Sequence, residues 1–288
     1  MSDIPISCYH ICYDSQTRES CPSDFIQLYH SNEYPEFKEI IPIMNCLSER
    51  TWREQEFVGF FSPKFSKKTG LSPKHIFDAL ARYGETHSVI LFTSFWEIAS
   101  YWLNPWEQGE VANPGTLQMS QLLADKANAK IDLMNCCANL DNTVFSHFLI
   151  AQKPFWDEWR KITEIYLDIV SSSKHQYSAE TSYRGGKHAI HPFIIERIPT
   201  LIMLVNNLTS IQFMDPIYSS KNLDRKKHLF EMDKLKKDFH NNKVQKSLIQ
   251  YWQYRIAYGR ARDIVTKSAL NFLRDRDITV TEKNISIS

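Results

Sequence analysis

The chain has 288 residues, 43% hydrophobic and 23% charged, with a net charge of +1. This composition leaves room for a large core and excludes the disordered and fibrous classes. The six cysteines (Cys8, Cys12, Cys21, Cys46, Cys136 and Cys137) form no CxxC pair, and no run approaches the roughly 18 apolar residues of a membrane span, so neither a zinc site nor a membrane crossing is expected.

The charge is unevenly spread. From Pro216 onward 16 Lys+Arg stand against 8 Asp+Glu, about +8, which leaves about −7 on the remainder. A basic end on an acidic body suits an anionic partner, nucleic acid or a phospholipid surface, or else a solvated helical face. The first residues, MSDIP, have neither the basic nor the apolar region of a leader. The expectation is a reduced, cytoplasmic protein whose cysteines act as small apolar side chains.

Residues 7–13 (SCYHICY) have strand composition and stop at Asp14-Ser15. Residues 36–47 look helical, with the helix expected to begin at Pro42. Residues 57–61 (FVGFF) suit a strand covered on both faces, and Ser62-Pro63-Lys64 closes it. Lys67 and Lys68 fall in a basic turn, after which Ser72-Pro73 marks a helix start and Gly84 its end. Residues 87–95 read as a strand and 96–103 as a helix, giving a strand, helix, strand, helix rhythm.

Residues 104–115 (NPWEQGEVANPG) read as a long loop beside the sheet. Helices are expected at 118–128 and 131–138, a strand at 144–152, an amphipathic helix at 155–170 and a polar loop at 171–187. Residues 193–205 form a nearly all-apolar helix interrupted by Glu196-Arg197, and 208–214 a last strand. Two polar helices, 225–240 and 244–273, complete the chain, the second carrying Tyr251, Trp252, Tyr254 and Tyr258.

Several residues carry possible chemistry. An isolated buried carboxylate is costly, so Glu196 must be paired, neutralised or facing a cleft, where it could act as a general base. Arg197 could hold a phosphate, or Glu196 and Arg197 could equally be structural charges paired with other partners. His10, His147, His188 and His191 fall at strand ends or helix starts. Asp14, Ser62 and Lys64 follow strands, where α/β sheets place ligands. Asp14 equally suits a turn. Glu107-Gln108-Gly109 lies in the expected long loop, suited to sugar hydroxyls or to capping a helix. GxGxxG, GxxxxGK[ST], GxSxG and HExxH are all missing, and the one Asp-x-Asp, Asp275-Arg276-Asp277, lies in the polar tail.

Four segments share an order with a known family. They are Tyr9-His10-Ile11-Cys12-Tyr13-Asp14, FVGFFSPKF at 57–65, HFLIAQKPFWDEW at 147–159 and FIIERI at 193–198. Over residues 7–214 the chain resembles bacterial glycosyltransferases of capsule and lipopolysaccharide synthesis, of the GT-A type and its relatives. The resemblance implies an α/β fold with a GT-A-like (Rossmann-like) mixed sheet flanked by helices: a catalytic domain at 1–215 and a basic, aromatic-containing helical extension at 216–288.

It also implies a nucleotide-sugar donor, a glycan or lipid-linked glycan acceptor, and cytoplasmic work at the inner membrane, with Trp252 and the tail tyrosines either at headgroup level or, equally, packed on the body of the protein. The family's Asp-x-Asp after a central strand, which holds a divalent metal, is missing here, so neither a metal nor another cofactor is assigned. Without a metal, cationic groups would stabilise the departing diphosphate. The implied assignments are Glu196, Asp14 and His191 for catalysis, His10, Ser62, Lys64 and Arg197 for the donor, and Glu107, Gln108 and His147 for the acceptor. Inversion and retention both stay open. The alternative is a noncatalytic protein binding nucleic acid or a membrane surface through its basic helices. The tail has no zinc, RNP or helix-turn-helix motif to support the nucleic-acid form. A metal-free phosphate-handling hydrolase is a third reading, supported by no spacing.

Overall fold

Short apolar segments flanked by polar turns build a mixed sheet, here described from a computed structural model over residues 4–30, 37, 39–93, 95–172, 180–183, 186–206, 208–213 and 223–260. The strands are β1 (Ile6–Cys12), β2 (Ile26–Tyr29), β3 (Phe57–Phe61), β4 (Val89–Leu91), β5 (Leu149–Gln152) and β8 (Ser210–Gln212). Their spatial order is β2-β1-β3-β5-β4-β8. β5 runs antiparallel to both of its neighbours and the remaining pairs are parallel. This is an α/β protein whose mixed six-stranded sheet is flanked by helices.

The period-2 alternation of a strand sorts side chains into two cores. Val58, Phe60, Val89, Leu91, Leu149 and Ala151 face one layer. It contains α2 (Ile40–Glu49), α7 (Thr116–Lys126), α8 (Lys153–Ser172), α9 (His191–Ile195) and α10 (Ile198–Val205). Phe57, Phe61, Ile90 and Ile150 face the other, with α3 (Phe65–Thr69) and α4 (Pro73–Tyr83). Every residue of β3 is buried, as its unbroken apolar run predicts. In α4, Ser72 is the N-cap as expected, in a capping box with His75, and Pro73 lies in the first turn.

Several expected boundaries change for identifiable reasons. The supposed loop at 104–115 contains α6 (Pro105–Ala112), because the Asn104 side chain accepts from the Trp106 and Glu107 amides and Pro105 takes the first helical position. Pro42 lies within the first turn of α2, where its missing N–H is tolerated, so that helix begins at Ile40. Residues 131–138 form turns in place of a helix, and the strands expected at 87–95 and 144–152 shorten to β4 and β5. The polar loop at 171–187 holds β6 (Glu180–Tyr183), which pairs antiparallel with β7 (Gly186–Ala189). The sequence reading had no element at β2, at α1 (Ser15–Glu19) or at α3, all three short.

The apolar helix at 193–205 is two helices, α9 and α10, with Glu196 and Arg197 at their junction. Pro199 lies in the first turn of α10, and its lack of an amide proton and its clash with the preceding turn break the continuous helix. The adjacent charges mark that break.

The final helices, α11 (Leu223–Asn242) and α12 (Gln245–Arg260), pack on α5 (Trp96–Tyr101). Their shared core includes Trp96, Leu103, Leu229, Met232, Tyr251 and Trp252. Tyr251 and Trp252 are fully buried, which is packing on the body in place of a position at lipid headgroups, whereas Tyr254 is partly exposed. No described helix is long and apolar enough to cross a membrane. The division at 215/216 and the expected helix beyond 260 lie outside the described residues.

Candidate functional site

From β1 the chain first adds β2 on one side and then β3 on the other. The connections therefore diverge at the carboxyl ends of β1 and β3, the switch point where open α/β sheets form a ligand crevice. Tyr13 follows β1 there. Its phenol donates to the Glu39 carboxylate at the start of α2. The Tyr13 ring lies 5.5 Å from that of His30, and the Phe37 ring lies 5.0 Å from that of His191. Tyr166 of α8 and Nδ1 of His191 are hydrogen-bonded at 2.8 Å. His147, just ahead of the antiparallel β5, comes to the same edge and meets Trp159 edge to face at 5.4 Å. These groups all occupy the face covered by α2, α8 and α9.

Burial raises the Tyr13 phenol, and the Glu39 carboxylate raises it further, so Tyr13 keeps its proton. Burial also raises Tyr166. His147 is pulled down to about 4, mainly by burial, with the charge of Glu39 opposing. Its ring is therefore neutral near pH 7, and its Nε2 is enclosed with no hydrogen-bond partner among the described residues. Among the described residues this cluster combines the Glu39 carboxylate, protonated phenols, the neutral imidazole of His147 and aromatic faces, groups that can meet hydroxyls and a flat ring.

The sequence-expected residues divide among different places. Of the expected catalytic set, His191 belongs to this crevice. Glu196 closes α9 and is partly buried. Asp14 caps α1: it accepts from the Thr17 amide and hydroxyl, and these bonds lower its pKa, which weakens it as a base. This cap is the turn-forming role that the sequence offered beside the catalytic one.

Of the donor set, His10 is buried within β1, short of the strand end, with Nε2 3.1 Å from the Thr17 carbonyl. It lies in strand alternation with Cys8, opposite the face of Tyr9 and Ile11. Ser62 follows β3, and Lys64 precedes α3 with an exposed side chain. Arg197 is 3% exposed and donates to the Pro105 carbonyl, the Phe193 carbonyl and Oε1 of Gln108. Burial lowers it to about 10, opposed by Glu196, which leaves it charged at neutral pH. This guanidinium ties α6 to the α9–α10 junction through the Pro105 carbonyl and the Gln108 side chain.

Gly109 packs against the same guanidinium. A Cβ there would lie 2.8 Å from Nη2 and 2.9 Å from Nε of Arg197. Gly109→Ala is expected to destabilise the fold by about 1–3 kcal/mol through overpacking, measured by urea unfolding; unchanged stability would refute the close approach.

Of the acceptor set, His147 reaches the crevice edge, whereas Glu107 is internal. Oε2 of Glu107 accepts from the Leu103 amide at 3.0 Å and from Nη1 of Arg255 at 2.9 Å. Arg255 is fully buried, with its guanidinium carbon 4.8–4.9 Å from the ring centroids of Tyr101, Trp102 and Trp252. Nearby, the buried ammonium of Lys236 donates to the Ala99 carbonyl and, at 2.7 Å, to the Trp102 carbonyl. It thereby satisfies the open end of α5.

Sequence reasoning missed Tyr13, Phe37, Glu39 and Tyr166. The strand-end rule that selected Asp14 would have found its neighbour Tyr13. The pairing of Glu39 with Tyr13 spans 26 positions and has no local signature. Among the described residues, no group of three or more His, Cys, Asp or Glu side chains is placed to hold a metal ion. Compared with protein-family models, curated proteins and solved structures, the chain matches none.

Proposed function

We propose that this chain is a glycosyltransferase with a GT-A-like core, moving a sugar from a nucleotide-sugar donor to a glycan or lipid-linked glycan in cell-surface polysaccharide synthesis. The observation that carries the reading is the side-chain cluster at the β1/β3 switch point, where Tyr13, Glu39, His147 and His191 converge. The single antiparallel strand β5 suits the mixed sheet that the family resemblance implies. Work at the cytoplasmic side of the inner membrane belongs to this proposal.

Lys64, exposed just past β3, is the candidate cation for the departing diphosphate. Glu196 at the helix junction is the candidate base for the acceptor hydroxyl. The test is a thermal-shift screen with the diphosphates of uridine, cytidine and guanosine and with their sugars. At least one should raise the melting temperature, and Lys64→Ala should weaken that ligand without altering the ligand-free melt. Glu196→Gln should stop transfer while keeping ligand binding. A full panel without any shift would overturn the reading.

A further inference from the structure

The carboxylate of Glu39 belongs to no role implied by the sequence, yet the Tyr13 phenol fixes it beside the end of β1. The Tyr13 phenol occupies Oε1, and among the described residues it is the only hydrogen-bond partner of this side chain. Both residues are partly exposed. A carboxylate offers about four acceptor sites, so one oriented by a single phenol still presents Oε2 and part of Oε1. Two hydroxyls on neighbouring carbons can both donate to such a carboxylate.

The surroundings restrict which diol fits. Tyr13, His30 and Phe37 place aromatic rings on the same side of β1, which suits a nucleobase. An anionic diphosphate is repelled by Glu39 and drawn toward the exposed Lys64 beyond β3. The intervening part of the ligand, between base and diphosphate, is the ribose. Glu39 also comes after β2 in the chain, at the start of α2, on the side of β1 to which the first connection turns.

We propose that Glu39, oriented by Tyr13, accepts the 2′- and 3′-hydroxyls of the donor's ribose and makes the crevice selective for ribonucleotides over 2′-deoxyribonucleotides. This rests on the nucleotide-sugar reading above and adds a residue and a discrimination to it. Glu39 is here a binding residue and Tyr13 a positioning one.

Isothermal titration with uridine, cytidine and guanosine diphosphates and their 2′-deoxy counterparts tests it. The diphosphate that binds should do so roughly 10-fold or more tightly than its deoxy form, as expected for a hydroxyl donating to a charged acceptor. Glu39→Gln, whose amide oxygen still accepts from Tyr13, should bring the two affinities within about 3-fold of each other by removing the charge from that bond. Should that variant fail to melt cooperatively, Glu39→Asp, which shortens the reach, is measured in its place with the same expectation. A wild-type ratio near 1, or an undiminished ratio in the variant, overturns the ribose assignment and leaves the glycosyltransferase reading standing. Absence of binding by every nucleotide overturns both. A separate arm with nucleotide sugars distinguishes a diol on the transferred sugar: in that case the deoxy effect vanishes while Glu39→Gln still weakens the sugar nucleotide.

Discussion

Replacing Glu107 with alanine is expected to lower stability by about 3–5 kcal/mol, the usual consequence of leaving one member of a buried ion pair alone. Arg255 would keep its charge in a site with no solvent exposure, among three aromatic rings and without its carboxylate. The backbone amide of Leu103 would lose its acceptor as well. Urea unfolding at neutral pH measures the loss. The paired replacement Glu107→Leu with Arg255→Met should lose much less, because apolar groups of similar size remove the unpaired charge together with the pair. A single variant within about 1 kcal/mol of wild type would show that the pair does not stabilise the fold, since the expected loss is several times larger. It would also revive Glu107 as an acceptor-binding residue.

Acid should destabilise the protein through His147. Its folded pKa of about 4 lies below the ordinary 6.5, chiefly because burial disfavours the imidazolium. Above 6.5 the ring is neutral in both states and contributes no pH dependence. Between 6.5 and about 4 the unfolded chain takes up the proton and the folded chain does not, so stability falls with pH across that window. At about 1.4 kcal/mol per pH unit of displaced pKa, the loss attributable to this group approaches 3 kcal/mol. Denaturant melts of wild type and His147→Phe at pH 7 and pH 4.5 provide the comparison. The variant should lack a large part of the acid loss, and superimposable pH dependences would rule His147 out as its source.

Local chemistry made part of the fold legible. FVGFF specified β3 because continuous apolarity over five residues suits a strand buried on both faces. Ser72-Pro73 specified the start of α4 because both residues satisfy a helix terminus. The same logic, applied to Asn104-Pro105, would have found α6, but Asn-Pro also signals a turn and the nearby glycines favoured that reading. β6 and β7 escaped because Glu180, Thr181 and His188 give no apolar alternation. The site was less legible. Strand-end placement led to Asp14, whose cap is a local bond to Thr17, and passed over Tyr13, whose bond to Glu39 depends on how α2 meets the sheet. Likewise, Arg197 looked free for a ligand only because its bonds to Pro105 and Gln108, about ninety positions away, leave no trace in the sequence.

The clasp of the last two helices on α5 and α6 has a consequence for synthesis. Lys236 reaches Ala99 across 137 positions, and Arg255 reaches Glu107 across 148. As the chain leaves the ribosome, the segment between β4 and β5 emerges with bare helix-end carbonyls, an unpaired carboxylate and uncovered Trp96 and Leu103. Such distant closures are slow to form, and the waiting apolar surface is prone to association. A nascent chain arrested before Lys236 should therefore remain protease-sensitive in this segment, and the last helices should act in biogenesis as the step that completes the fold.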